Sequence, residues 1–446
     1  VRFSELDGAR VGVWGAGREI VSFAAQLSRR LPAASIAVVA FDEPPAPSAV
    51  AALGVPAAQV VSGGEVLDAL SGCEVLVRSP GVSIHRPEIE SLSERGIVVT
   101  TATALWLAER EGRGVIGVTG TKGKSTTAAL TAHLAHAAGR SVELAGNIGR
   151  PALDLLDCDP DTLAVVELSS YHVADLTIGP EVAAITNLFA EHADWHGSEE
   201  AYRAEKLRIL ALPGVRTAVL PARFAHLAQA PTAAKLVLFG QPSGWEVSPD
   251  GVSFAGDLRV PSAALPLPGE HNALNLCAAL TALEAAGVAP PRLPDALAGF
   301  EGLGHRLQTI AERDGLTWVD DSISTTPESA LAALASFPGR PLVLLGGGQD
   351  RGQDYGELGR ELTRLGATVV GMGSTGPRLL EAAARAGLPA RLSHAAGDLA
   401  EAVALARACA PPGAVVLLSP AAPSYEDFKN FEERGGTFWG RAPTRA

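Results

Sequence analysis

Residues 117–127 read GVTGTKGKSTT and join a strand-like run to a long Ala/Leu-rich run. Glycines at such a junction let backbone N–H groups face an oxyanion, and a helix opening there adds positive potential. Lys124 can then reach the β- and γ-oxygens of a nucleotide, and the Ser125 hydroxyl can ligate Mg²⁺. The candidate contacts are Gly120, Thr121, Lys122, Gly123, Lys124, Ser125 and Thr126. One position departs from the strict phosphate-loop pattern: where glycine is wanted ahead of Gly123 the chain has Val118, and its glycines fall at Gly117, Gly120 and Gly123.

A glycine-rich loop alone does not choose among kinase, GTPase and ligase, so the neighbouring carboxylates and histidines matter. Glu167, in VVELSSYH, ends an apolar strand-like run. A buried carboxylate there is costly unless it meets a cation, so a magnesium ligand is expected. NLFAEHADWHG follows another apolar run and should bring His192 and Asp194 to the same cleft. Nearer the start, VWGAGRE opens a G-x-G-x-x-G at Gly15 and Gly17, but Ile20 holds the third glycine's place and would obstruct a dinucleotide site. With Ser79, Pro80 and Gly81 after CEVLVR, it can still line an anionic nucleotide pocket.

The elements that must position these groups alternate in type. RVGVWG, REIVSFAAQLSRRL, IAVVAFD, CEVLVRSPG and GIVVTTA predict a parallel sheet with crossover helices. A polar, Gly-rich break at residues 109–114 precedes a second alternation, with TLAVVELSS, EVAAITNLF, a helix AYRAEKLRIL, a minor sheet around residues 236–260 and a helix NALNLCAALTALEAAG. Beyond residues 300–304 come LTWVDDS, PLVLLGGG, ATVVGMG and AVVLLSP. Three doubly wound α/β domains in series are expected, at 1–111, 112–302 and 303–446, with no tandem repeat.

The chain's 446 residues suit several domains, and 47% apolar against 19% charged residues exclude wholesale disorder. A formal charge of −13 argues against a nucleic-acid groove, so anionic ligands must be held by local cations. Lysine is scarce, and Lys122, Lys124 and Lys206 all fall inside motifs. No apolar run is long enough to span a membrane and the start lacks signal-peptide order, so no membrane insertion and a cytoplasmic location are expected. Cys73, Cys158, Cys277 and Cys409 match neither a disulfide framework nor a zinc spacing and read as buried small residues.

Taken together, the motifs resemble the Mur ligases, most closely the MurD-like glutamate ligases of peptidoglycan synthesis, over nearly the whole chain. GTKGKST resembles the family's ATP loop, GNIG (Asn147) and ELSS (Glu167, Ser169) its central blocks, and EHADWHG its metal and substrate histidine block. YRAEKLRIL resembles the helix whose lysine is carbamylated, here Lys206. GEHNALN (His271, Asn272, Asn275), GLGHRLQ (Arg306) and DDS (Asp321) resemble nucleotide-contacting and C-terminal blocks, as does LLSPAAPSYEDFKNF (Ser424, Phe431).

The resemblance implies a Rossmann-like N-terminal UDP-binding domain, a central P-loop ATPase-type domain and a C-terminal Rossmann-like domain that brings the amino acid. It implies ATP-driven ligation of glutamate to UDP-N-acetylmuramoyl-L-alanine through an acyl phosphate, by a monomer. Lys124, Glu167, His192 and Lys206 would be catalytic, with Ser125, Glu167, His192 and carbamylated Lys206 sharing two Mg²⁺ ions. Asn275, Arg306 and Asp321 would join the loop on ATP. Gly17, Arg18, Ser79, Pro80, Gly81, Asn147, Ser169 and His192 would hold the UDP-sugar, and Thr325, Arg351, Ser424 and Phe431 the glutamate.

Two blocks depart from the D-glutamate branch. Residues 321–327 read DSISTTP, with Ile323 where that branch has lysine, and GGQDRG carries Arg351 where it has another lysine. A guanidinium binds carboxylate as a planar fork and an ammonium as a point charge, so the pocket differs. DSISTTP, the Arg18-Glu19 pair and LLSPAAPS look more like the smaller branch that adds L-glutamate. The D-glutamate reaction, a folylpolyglutamate synthase-like ligase and a non-catalytic nucleotide-binding regulator are the alternatives.

Overall fold

The computed structural model of this chain describes residues 1–45, 47–56, 59–188, 199–227, 234–267, 269–300, 302–350 and 352–442. His192, Asp194 and Arg351 lie outside the described residues. The chain forms two compact units, Val1–Phe300 and Glu301–Ala446.

The first unit holds two parallel sheets. The N-terminal one has the spatial order Val60–Ser62, Ser35–Phe41, Arg10–Trp14, Val75–Arg78, Val98–Thr100. Strand order reverses beside Arg10–Trp14, which opens a crevice between the turns following that strand and Val75–Arg78. Helix Arg18–Arg30 begins at the first of these turns. It buries Ile20, Phe23, Ala24 and Leu27, one helical stripe, against the sheet.

The second sheet runs Lys235–Phe239, Thr217–Pro221, Val182–Ile185, Val115–Thr119, Leu163–Glu167, Val142–Gly146, again all parallel. Its three central strands are buried at every position, as expected of near-continuous Val/Ile/Ala runs covered on both faces. Helices Lys124–Ala137 and Glu270–Ala285 pack on each other over it. A three-stranded antiparallel sheet, Trp245–Ser248, Gly251–Phe254 and Asp257–Pro261, leans on the second helix. The expected minor sheet is therefore shorter than residues 236–260. Lys235–Phe239 instead pairs in parallel with Thr217–Pro221 as an edge of the large sheet.

One apolar cluster runs through both sheets of this unit, from Leu6, Val13 and Ile20 through Trp106 to Leu153, Val166 and Ile209. Helix Ala102–Glu109 lies in that seam with Trp106 fully buried, so the chain passes residue 111 without a break in packing.

The second unit is a six-stranded sheet in the order Gln308–Arg313, Leu316–Asp320, Val415–Leu418, Leu342–Gly346, Thr368–Gly371, Ser393–Ala395, antiparallel only between the first two. Alternation sets its two cores: Val319, Leu344, Val369 and Leu417 point to one, Trp318, Val343, Leu345 and Val416 to the other. Cys73 and Cys277 are buried as expected, whereas Cys158 and Cys409 are only half-buried; all four are free thiols. Among the described residues no helix is long and apolar enough to cross a membrane.

Candidate active site

The carboxyl ends of the central strands of the large sheet gather the chemistry of the first unit. Strand Val115–Thr119 runs into the glycine loop, and helix Lys124–Ala137 starts at Lys124. Gly120 and Gly123 have φ of +143° and +77°, where a side chain is strained. They also lack space: a Cβ on Gly120 would lie 2.1 Å from Thr186 Oγ1, and one on Gly123 would lie 2.2 Å from Asn275 Oδ1. Asn275 is thus seated against the phosphate loop. Ser125 and Thr126 are buried in the first turn, and the Lys124 ammonium donates to the Thr121 carbonyl at 3.0 Å.

The loop is braced from the next strand by two residues that the motifs did not single out. Lys122 N–H donates to Asn187 Oδ1 at 2.8 Å, and Asn187 Nδ2 donates to the Lys122 carbonyl at 2.9 Å. Thr186 Oγ1 donates to that same carbonyl at 2.6 Å. The side chains of Thr186 and Asn187 thereby brace the loop at Lys122. Their only sequence signal is their place directly after the apolar run ending at Ile185.

Glu167 ends strand Leu163–Glu167 and is fully buried. Its Oε1 accepts from Asn147 Nδ2 at 3.0 Å, while Oε2 has no hydrogen-bond partner among the described residues. An orphaned buried carboxylate oxygen beside a phosphate loop fits a divalent cation. The Asn147 turn is held in turn by Arg18, whose guanidinium donates to the Asn147 carbonyl at 3.0 Å and the Gly149 carbonyl at 3.1 Å. Arg18 therefore reaches from the first sheet's turn to the second sheet's site.

Ser169 caps helix Ser170–Asp175, accepting from His172 N–H at 3.2 Å, while His172 Nδ1 meets Ser169 Oγ at 2.6 Å. On its other side His172 Nε2 lies 2.6 Å from Glu19 Oε1, to which Thr103 also donates. Burial works against both charges, but their contact prevails. It holds the Glu19 carboxyl below the ordinary carboxylate range and the His172 imidazolium above its ordinary value. Lys206, only 2% exposed, lies on helix Glu199–Arg208, which packs against helix Ser170–Asp175. Arg208 fastens that packing by donating to the carbonyls of Val173, Ala174 and Leu176. Among the described residues no cluster of three or more His, Cys, Asp or Glu side chains is poised for a metal, and His192 is not among them.

At the crevice of the first sheet, Gly15, Gly17 and Ser79 meet. A Cβ on Gly17 would lie 3.0 Å from Ser79 Oγ, and Ser79 N–H donates to the Trp14 carbonyl at 2.8 Å. The Ser79-Pro80-Gly81 turn is backed by buried Arg78, which contacts the Val82 carbonyl and pairs with buried Asp175.

In the second unit, Asp321 follows strand Leu316–Asp320 and is buried. It accepts from Ser419 Oγ at 2.7 Å and from Leu307 N–H at 3.2 Å. Burial pushes its carboxyl up to about 6, against hydrogen bonds from Ser324 and Ser419 and the charge of Arg306. Arg306 is half-buried, and its Nε has no hydrogen-bond partner among the described residues. Thr325 is half-buried, Ser424 is buried and Phe431 opens the last helix, Phe431–Arg441; all three follow strand ends at the carboxyl edge or sit just beyond them.

Such an edge, with a phosphate loop at a strand-order reversal, defines an α/β nucleotide-handling protein. The chain belongs to the Mur ligase family: the Mur ligase middle domain matches residues 118–283, and the Mur ligase glutamate ligase domain matches residues 305–422. The UDP-N-acetylmuramoyl-L-alanine–L-glutamate ligase of a Micromonospora species is 44% identical, covering 98% of this chain and 97% of that protein. Proteins of the same name from Salinispora tropica and Xanthomonas campestris are 43% and 42% identical over 98% of this chain. In fold, the chain is similar to UDP-N-acetylmuramate-alanine ligase MurC from Thermotoga maritima, with a TM-score of 0.60 at 19% identity, covering 97% of this chain and 99% of that one. It is also similar to MurF ligase of the same organism, solved with ADP, with a TM-score of 0.55 at 17% identity over 98% and 96% of the two chains.

Proposed function

We propose that this chain is the ligase that joins L-glutamate to UDP-N-acetylmuramoyl-L-alanine at the expense of ATP, in peptidoglycan precursor synthesis. The observation that carries this reading is the match, end to end and above 40% identity, to relatives that bear that name. The phosphate loop beside an orphaned Glu167 oxygen supports it independently.

In this reading residues 1–111 hold the UDP-sugar, residues 112–302 hold ATP and residues 303–446 bring glutamate. The alanyl carboxylate attacks the γ-phosphorus, ADP leaves, and an acyl phosphate forms. Glutamate's amine, having lost a proton, then attacks the acyl carbon and phosphate leaves as the amide forms. Both steps gather anions, so the loop N–H groups and Lys124 must neutralise charge that develops on the transferring phosphoryl group. Ser125, Glu167, His192 and Lys206 would hold the magnesium ions, which supply charge neutralisation and phosphate orientation when bound. A lysine suits that company once carbon dioxide adds to its amine, because the resulting carbamate is an anionic ligand, and Lys206 is buried on its helix.

We assign Gly120, Thr121, Lys122, Gly123, Thr126, Asn275, Arg306 and Asp321 to ATP. Gly17, Arg18, Ser79, Pro80, Gly81, Asn147, Ser169 and His192 are assigned to the UDP-sugar. Thr325, Arg351, Ser424 and Phe431 are assigned to glutamate. The working enzyme is taken as a cytoplasmic monomer. Phosphate release from ATP, measured with UDP-N-acetylmuramoyl-L-alanine and either enantiomer of glutamate, tests the reaction and its handedness together. Expected is a kcat/KM for L-glutamate about 100-fold or more above that for D-glutamate, a ratio needing only about 2.7 kcal/mol. Equal use of both, or a preference for D-glutamate, would refute the L-branch assignment and leave the ligase standing.

A further inference from the structure

Arg434 is 1% exposed on the last helix of the second unit, and each of its three side-chain nitrogens donates to a loop outside that helix. Its Nε donates to Ser322 Oγ at 3.0 Å, one terminal nitrogen to the Ser322 carbonyl at 2.9 Å, and the other to the Ala422 carbonyl at 3.0 Å. A third loop closes on it: Gly348, with φ of +156°, would place a Cβ 3.2 Å from that second terminal nitrogen and 2.4 Å from the Pro423 carbonyl. The guanidinium thus lies under the turns that follow strands Leu316–Asp320, Val415–Leu418 and Leu342–Gly346.

These turns are also tied directly to one another. Ala421 N–H donates to the Ser324 carbonyl at 3.0 Å, Gly347 N–H to the Pro420 carbonyl at 2.7 Å, and Gln349 N–H to the Pro423 carbonyl at 2.9 Å. Ser322 Oγ continues the network to the Phe431 carbonyl at 2.9 Å. Thr325, Ser424 and Phe431 are carried by the segments so joined, and Arg351 follows Gly348 and Gln349 in sequence.

We propose that Arg434 is the positioning residue of the amino-acid pocket, setting the relative placement of three loops from beneath without touching glutamate. The proposal rests on the assignment of Thr325, Arg351, Ser424 and Phe431 to glutamate. A planar fork satisfies three acceptors in fixed directions, which a lysine ammonium at the end of a flexible stem does not. Burial lowers the Arg434 guanidinium to about 10, against the attraction of Asp320, and leaves it charged at neutral pH. Asp320 is itself bonded to His305, Trp439 and the Ser322 N–H.

The test compares Arg434→Lys and Arg434→Ala with Ser424→Ala, in the full chain, by steady-state kinetics for each substrate. Expected for Arg434→Lys is a rise of about tenfold or more in KM for L-glutamate and a smaller L-to-D ratio, with KM for ATP and for the UDP-sugar within about twofold. Guanidinium ion at non-denaturing concentration is expected to restore part of the L-glutamate KM in Arg434→Ala and to do nothing for Ser424→Ala. If Arg434→Lys shifts the thermal midpoint and all three KM values in step, the residue is a general support and the proposal is wrong. If Ser424→Ala raises KM for glutamate while Arg434→Lys leaves it unchanged, the pocket stands and Arg434 is not its organiser. If neither moves it, the pocket assignment itself fails.

Discussion

Gly123→Ala separates two costs that the loop imposes at one atom. Alanine at a φ of +77° carries about 1–2 kcal/mol of backbone strain. Its Cβ would also sit 2.2 Å from Asn275 Oδ1 and 2.9 Å from Asn275 Cγ, so the amide must retreat by more than an ångström to reach ordinary contact. Retreat sacrifices the 3.3 Å hydrogen bond from Asn275 Nδ2 to Asn272 Oδ1, worth about 1 kcal/mol. Together these disfavour the formed loop by about 2–3 kcal/mol, and apparent nucleotide affinity falls with the competent fraction, by roughly 30- to 150-fold.

Calorimetric titration with MgATP reads that loss directly. A cycle with Asn275→Gly apportions it. Removing the amide in the Gly123→Ala background relieves the steric part, so the double variant should bind about fivefold better than the sum of the two single losses implies. Unchanged affinity in Gly123→Ala would refute the claim that this backbone is committed to a phosphate cradle. A strictly additive cycle would refute the contact with Asn275 as its source of strain.

Asn187→Ala removes both side-chain bonds that brace Lys122, at about 1 kcal/mol each, so KM for ATP should rise roughly 30-fold while KM for the UDP-sugar moves by less than about twofold; equal effects on both would show that Asn187 supports the sheet rather than the loop. Asp321→Asn acts on stability through pH. With its folded value raised from 3.8 to about 6, the native state binds the proton more tightly, so Asp321 favours folding fully below pH 3.8 and that contribution is lost as pH rises through 6. The lost increment is about 3 kcal/mol. The difference in urea stability between Asp321→Asn and wild type should therefore shift in favour of the variant between about pH 4 and pH 7, and a pH-independent difference would show that Asp321 ionises like an ordinary carboxyl.

What the sequence made legible follows from which groups must reveal themselves locally. The strand, glycine loop and helix of residues 115–137 are written in consecutive residues, because backbone N–H groups can cradle phosphate only where a strand ends, glycines permit the turn and a helix begins. Glu167 is legible for a related reason: a carboxylate closing an apolar strand needs a counter-charge, and the structure leaves one of its oxygens waiting for it. The minor sheet is shorter than its sequence implies because apolar runs of five residues carry no mark of the partner they will choose; Lys235–Phe239 pairs in the parallel sheet. His192 and Arg351 lie outside the described residues, so their placement adds nothing to the sequence reading.

The residues with no local signature share another trait. Asn187, His172 and Arg434 act on other residues rather than on a ligand, and their partners lie 65, 153 and 112 positions away in the chain. Nothing local distinguishes such an asparagine from a turn former, or such an arginine from a solvated helix residue, until folding brings the acceptors to it. Arg434 shows why the difference matters for chemistry. Two pockets with the same contact residues present different distances to a substrate if the support beneath them changes, and handedness of an amino acid is decided by such distances. Specificity in this chain is therefore to be sought in the buried guanidinium as well as at the sequence positions where Ile323 and Arg351 stand in place of the lysines of the D-glutamate branch, and substitutions at Ile323 alone should leave the preference for L-glutamate largely in place so long as Arg434 keeps the three loops in register.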